Sequence, residues 1–414
     1  MSRLPWRRPN GFWPARLTAM FLFVSFYAGN ALRAADFPLQ IAPSPVTIPA
    51  PLGYQETTYG IADWSVPVRT VSTPFKGEPA SLSGKVVRGF LDFGPESSNT
   101  IAFIWQPDSR KLLLDPNRFS NPTNNLSERF VTISAPFSDS VNYQNFTNVH
   151  FSLSSAHGKY DLLTDINIWQ YGAKPNFNLE VRSFWQGKVT LQGNDWQAGL
   201  VPNLSNEGVS FENGHLLLRP WKKQNEAFNA SGSGLDIFPY TPKLFVAGAA
   251  YLLDSFSGPQ TNEFKPLLQF TEQSVALGNV QITGKYIQRL ILPGGTYLVV
   301  LDHPAGLVAA PVGSYRQPNV SLEQNGAKAV CHTPWASGKT VLVASNTTFV
   351  LTAGGPLTNS VVATRNGPDL VMNYKLIGVG GLVYQLAGQD RTHPPEYAVY
   401  KDDKKITSGT FEFG

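Results

Sequence analysis

Four carboxylates, Asp161, Asp165, Glu180 and Asp195, share a short stretch of the chain with Trp169, Tyr171, Trp185 and Trp196. Acids beside indoles are the ingredients of glycoside hydrolysis. One carboxyl protonates the leaving oxygen, a second acts as nucleophile or base about 5–10 Å away, and aromatic rings stack on the sugar. Spacing along the chain does not say which two acids converge. The same aromatics in a strand-rich chain serve equally as core, so the pattern supports either a glycan site or a packed interior.

A second set of oxygens suggests a cation. Asn203-Leu-Ser-Asn-Glu-Gly208 offers side-chain oxygens at alternate positions and a glycine at the sixth. Asn203, Ser205 and Glu207, with Glu212 just beyond, are the candidate Ca²⁺ ligands. The twelfth position is Gly214, so the bidentate carboxylate of a high-affinity loop is missing. The affinity expected is that of an extracellular module, roughly 10⁻⁴–10⁻³ M. The competing reading is a polar turn in which Asn203 and Ser205 bond their own backbone. The loop Asp115-Pro-Asn-Arg-Phe-Ser-Asn121 has fewer suitable oxygens and reads the same way. No other cofactor is expected.

Other chemistries lack their residues. The six histidines (150, 157, 215, 303, 332 and 393) show no zinc-ligand spacing. There is no Gly-x-Ser-x-Gly elbow. Ser231-Gly-Ser-Gly234 precedes Leu235-Asp-Ile-Phe-Pro239, which does not open a helix, so it is no phosphate cradle. Asp302-His303 follows a strand and reads as a turn pair. Cys331 is the single cysteine and neighbours His332. Adjacent side chains in an extended segment face opposite ways, so the pair is a poor nucleophile–base couple.

The elements that would position these residues are strands. Gly 36, Pro 32, 12% aromatic and only 15% charged residues describe an all-β chain rich in turns. Asn167–Tyr171 and Asn178–Phe184 alternate polar and apolar, as strands with one wet face do. Apolar runs recur every 8–15 residues between Gly, Asn and Pro turns, the spacing of sandwiches. About eight such runs follow Tyr286, a sandwich count.

The first residues address the chain. Arg3, Arg7, Arg8 and Arg16 precede the apolar run Leu17–Ala28, and small residues follow to Ala34-Ala35. This is the layout of a secretory leader, and the run falls short of the roughly 20 residues of a membrane span. Pro9 after Arg7-Arg8 favours an ordinary leader over a twin-arginine one. The full chain carries 33 basic and 29 acidic residues; five of the arginines and none of the acids lie in 1–34, leaving 28 against 29. That near-neutral remainder, with no basic cluster, argues against a nucleic-acid partner.

Three segments resemble uncharacterised secreted β-rich proteins of planctomycete and verrucomicrobial type. They are Lys111–Arg118, Asp195–Gly208 with the following Leu216-Leu-Leu218, and the tail from Tyr374–Tyr384 to Gly409–Gly414. The resemblance implies a bacterial exported β-rich protein and no particular activity. Pro304–Arg316 resembles the Pro-x-Gly-x-Tyr strand entry of carboxypeptidase-regulatory-like and prealbumin-like sandwiches.

The sequence therefore predicts an all-β protein of two or three β-sandwich-like modules behind a cleaved leader (1–34) and a Pro-rich arm (35–83). The modules are 84–194, 195–284, which may run on from the first, and an immunoglobulin-like or prealbumin-like sandwich at 285–414. The expected product is periplasmic, surface-bound or extracellular, with no membrane span after cleavage. The expected role is non-enzymatic binding or structure, the partner being an envelope or extracellular glycan or protein. The alternative is a secreted carbohydrate-active enzyme or glycan-binding protein with an aromatic-lined cleft.

Overall fold

The computed structural model describes residues 45–58, 60–94, 99–115, 130–135, 143–155, 158–172, 174–205, 208–223, 235–257, 266–332, 340–386 and 394–411. The leader expected at 1–34 lies outside them, as do Glu207 and most of the Asp115–Asn121 loop. The described chain is all-β and sandwich-like, with no α-helix; only short 3₁₀ turns interrupt the strands. None of its helical turns is long and apolar enough to cross a membrane.

The main organising feature is the segment from Thr47 to Val71, within the span read as a Pro-rich arm. It forms four short strands: β1 (Thr47–Pro51), β2 (Gly53–Glu56), β3 (Ala62–Val66) and β4 (Val68–Val71). Each is the edge strand of a different sheet. β1 closes one end of an eleven-stranded sheet by pairing with Pro266–Gln273. β2 edges a five-stranded sheet by pairing with Ser183–Leu191. β3 edges a four-stranded sheet by pairing with Asn176–Val181. β4 edges a second five-stranded sheet by pairing with Val87–Asp92. Edge positions explain how Pro49 and Pro51 are tolerated, since a central strand needs the N–H that proline lacks.

Alternation decides what each sheet buries. β3 reads buried-exposed through Ala62, Asp63, Trp64, Ser65 and Val66, and Asn176–Val181 repeats the pattern. The inward residues build one core that draws on all four of these sheets. Phe103 meets Phe177 at 4.6 Å between ring centroids, and Tyr160 meets Trp185 edge-on at 5.7 Å. A second core, with Phe245, Leu290, Tyr315 and Tyr384, fills the C-terminal half. The expected module limits at 194/195 and 284/285 both fall inside shared sheets. Ser183–Leu191 pairs with Asn194–Ser205, and the eleven-stranded sheet takes strands from both sides of residue 284. Buried polar groups in the first core are bonded to each other: Trp105 Nε1 donates to Gln144 Oε1 at 2.9 Å, and Gln144 Nε2 to Pro107 O at 2.7 Å.

The crossing between β1 and β2 is tight. A Cβ on Gly187 would lie 2.0 Å from the Pro51 carbonyl oxygen, whereas one on Gly53 would meet nothing nearer than 4.0 Å. Gly187→Ala is therefore expected to lower unfolding stability by about 1–3 kcal/mol through overpacking, and Gly53→Ala by less than about 1 kcal/mol. Urea denaturation of the two variants checks this.

Candidate functional site

The four sequence-selected carboxylates lie in two places. Asp165 and Glu180 are cross-strand partners, and Glu180 is in turn opposite Asp63 of β3, so three acids form a row across the outer face of the four-stranded sheet. Asp63 was not singled out from sequence. Arg182 sits at the end of this row. Its Nη1 bonds Asp165 Oδ1 and Asn148 Oδ1, both at 2.9 Å, and its Nε donates to Thr57 O at 3.0 Å. Glu180 folds over Gly60 and accepts that residue's N–H at 2.9 Å. A side chain at 60 would collide with Glu180, so a glycine is required there. Burial pushes the Glu180 carboxyl above its ordinary value; the Gly60 N–H pulls it back, and Asp63 and Asp165 add to the rise. Asp161 accepts a hydrogen bond from Ser152 Oγ on the same sheet.

Asp195 lies elsewhere, in a depression of about 550 Å³ where the Asn194–Ser205 and Gly208–Pro220 strands meet the eleven-stranded sheet. Trp196 and Trp221 give it aromatic walls, Pro220 and Ala247 add apolar surface, and Asn194, Lys222 and Asp302 complete it. Trp221 and Lys222 belong to a 3₁₀ turn that carries the chain off its strand. Lys188 Nζ stands 5.4 Å above the Trp221 ring and 2.6 Å from Asp195 Oδ2. Thr190 Oγ1 donates to Asp195 Oδ1 at 2.7 Å. Lys188 first, and Thr190 second, hold the Asp195 carboxyl below the usual carboxylate range. Trp196 is only 6% exposed, and its Nε1 is buried with no hydrogen-bond partner among the described residues.

Asp302 is fixed from beneath. Arg289, itself buried, grips it as a fork, Nε to Oδ1 at 2.6 Å and Nη2 to Oδ2 at 3.1 Å. The same guanidinium reaches Leu218 O at 2.6 Å and Asp236 Oδ1 at 2.9 Å, tying the second sheet to the eleven-stranded one. A buried fork of this kind satisfies both ions and fixes their geometry. His303 is exposed beside it and its N–H bonds Gln288 O, as a turn residue does.

Of the aromatics singled out from sequence, Trp185 is core, Trp196 lines the depression, Trp169 is half-buried and Tyr171 is exposed. Trp221 and Arg289 were missed. Lys222-Lys223 reads from sequence as a solvated turn, and nothing local marks the preceding Trp as a wall. At the candidate Ca²⁺ site the strand runs on where a loop was expected: Asn203 pairs with Ser210 and Ser205 with Gly208. Glu212 belongs to the opposite strand, and Glu207 lies outside the described residues. Among the described residues no three His, Cys, Asp or Glu side chains group as a metal site. Cys331 is a buried thiol at the end of its strand.

No protein-family model, no curated protein and no solved structure matches the chain.

The raised Glu180 carboxyl sets a pH dependence. A folded value above the unfolded one means stability is full below the unfolded value and falls as pH rises through the folded one. Gln keeps the acceptor for Gly60 N–H and does not ionise. Glu180→Gln should therefore melt higher than wild type at pH 7, and the gap should close below about pH 4, near the free carboxyl value. Thermal melts across that range check it.

Proposed function

We propose that the protein is an exported, non-enzymatic binding module that holds a glycan in the Trp196–Trp221 depression. One observation carries the reading: the carboxylates that line that aromatic depression among the described residues, Asp195 and Asp302, are each paired with a cation at 2.6 Å. Hydrolysis needs one carboxyl kept protonated opposite a second that is ionised. Lys188 favours the charged form of Asp195, and Asp302 is locked in the Arg289 fork. The one acid of the sequence-selected set pushed upward, Glu180, sits on a sheet face with the Asp63–Asp165 row instead of among these indoles. The half-buried Trp221 indole beside amide, ammonium and carboxylate groups suits a polyhydroxylated ring. The leader read from the first 34 residues supports an envelope or extracellular ligand.

The test is tryptophan fluorescence of the mature chain titrated with neutral and acidic oligosaccharides, with a parallel assay for released reducing ends. Saturable binding weakened about tenfold by Trp221→Ala, some 1.4 kcal/mol, with no sugar released, is the expected result. Release of reducing ends by wild type and its loss in Glu180→Gln would overturn the non-enzymatic reading.

A further inference from the structure

Three charged side chains line the depression, Lys222, Asp195 and Asp302; Lys188 and Arg289 reach the two carboxylates from outside that lining, and Arg289 is shared with Asp236. The pairing is specific. Lys188 takes Asp195, and Arg289 takes Asp302. Lys222 is the one left over: it lines the depression, is exposed, and makes no ion pair or hydrogen bond among the described residues. Its neighbour in sequence, Lys223, acts instead on Asp236, behind the wall. An unmatched ammonium beside an aromatic wall recognises negative charge attached to a stackable ring. Lys188 also rests on Trp221, so that indole is already positioned by a cation and presents a fixed surface.

We infer that the ligand is an anionic sugar, a pyranose bearing a carboxylate or sulfate, with Trp221 as the stacking surface and Lys222 as the partner of the anionic group. The inference rests on the glycan-binding reading above. Lysine fits this task as a compact point charge that does not demand one planar geometry. With Asp195 and Asp302 already paired, no unpaired carboxylate among the described residues of the depression repels the incoming anion.

The experiment is titration calorimetry of the mature chain with trigalacturonate, a sulfated galactose trimer and the matched neutral galactose trimer, at low and high salt. Wild type, Lys222→Gln and Trp221→Ala are compared. The expected result is about a tenfold preference for at least one anionic trimer at low salt, shrinking at high salt as an exposed charge pair should. Lys222→Gln should abolish that preference while neutral binding persists, and Trp221→Ala should weaken every sugar. Which anion is preferred separates uronate from sulfate as the source of the charge. Equal binding of neutral and anionic trimers by wild type, or a preference that survives Lys222→Gln, overturns the inference and leaves glycan binding standing. Binding of none of the trimers, or binding untouched by Trp221→Ala, overturns the glycan reading itself. Circular dichroism confirms that each variant is folded; Lys222 is exposed, so its loss removes no described contact.

Discussion

One chain segment edges four sheets, and the rest of the architecture depends on that constraint. β1 to β4 follow one another with gaps of one, five and one residue, yet each belongs to a different sheet. The partner chain must change sheet at the same point. It does so at Arg182, between Asn176–Val181 and Ser183–Leu191, opposite the place where β2 gives way to β3. Backbone bonds hold the two corners together: Thr57 N donates to Arg182 O at 2.8 Å and Ile61 N to Val181 O at 2.7 Å. The Arg182 side chain then returns to Thr57 O and to Asp165. A cation at the corner compensates the acid row beside it, so Asp165 is ion-paired while Glu180, further along, bears the cost of burial. The segment supplies one edge of each of four sheets, and strands this short, two of their residues being Pro49 and Pro51, blunt an edge against pairing with other chains.

The second junction is ionic. Arg289 bonds atoms from both the second sheet and the eleven-stranded sheet, with its charge divided between Asp236 and Asp302. Burial raises the Asp236 carboxyl and Arg289 draws it back, so the carboxylate depends on the guanidinium that it also orients. This junction forms part of the floor of the aromatic depression, through Asp302. Rigid sheets and ion-paired carboxylates give the depression a preshaped surface, which lowers the ordering cost for a ligand.

Much of the fold is legible in the sequence where periodicity is strong. Asn176–Val181 alternates as a half-wet strand must, and the turn spacing yields an all-β assembly. The edging segment is not legible, because strands of four or five residues broken by Pro49, Pro51 and Pro67 carry the texture of an extended arm. The strand character of β1, β2 and β3 comes from partners more than a hundred residues away. The candidate site divides in the same way. Asp195 and Trp196 are visible as an acid beside an indole. That Asp165 faces Glu180 is a matter of register, and that Trp221 opposes Trp196 in one depression depends on where a strand ends and a 3₁₀ turn begins. Local pattern contains neither.

Native-state hydrogen exchange of the protein tests the edging segment most directly. If one segment binds four sheets together, hydrogen-bonded amides of residues 47–71 open only with global unfolding. Their exchange free energies should then match those of the buried strand Thr100–Gln106 to within about 1 kcal/mol. Exchange of residues 47–71 at free energies several kcal/mol lower, with the sheets still protected, would show an arm that frays independently and would contradict the account.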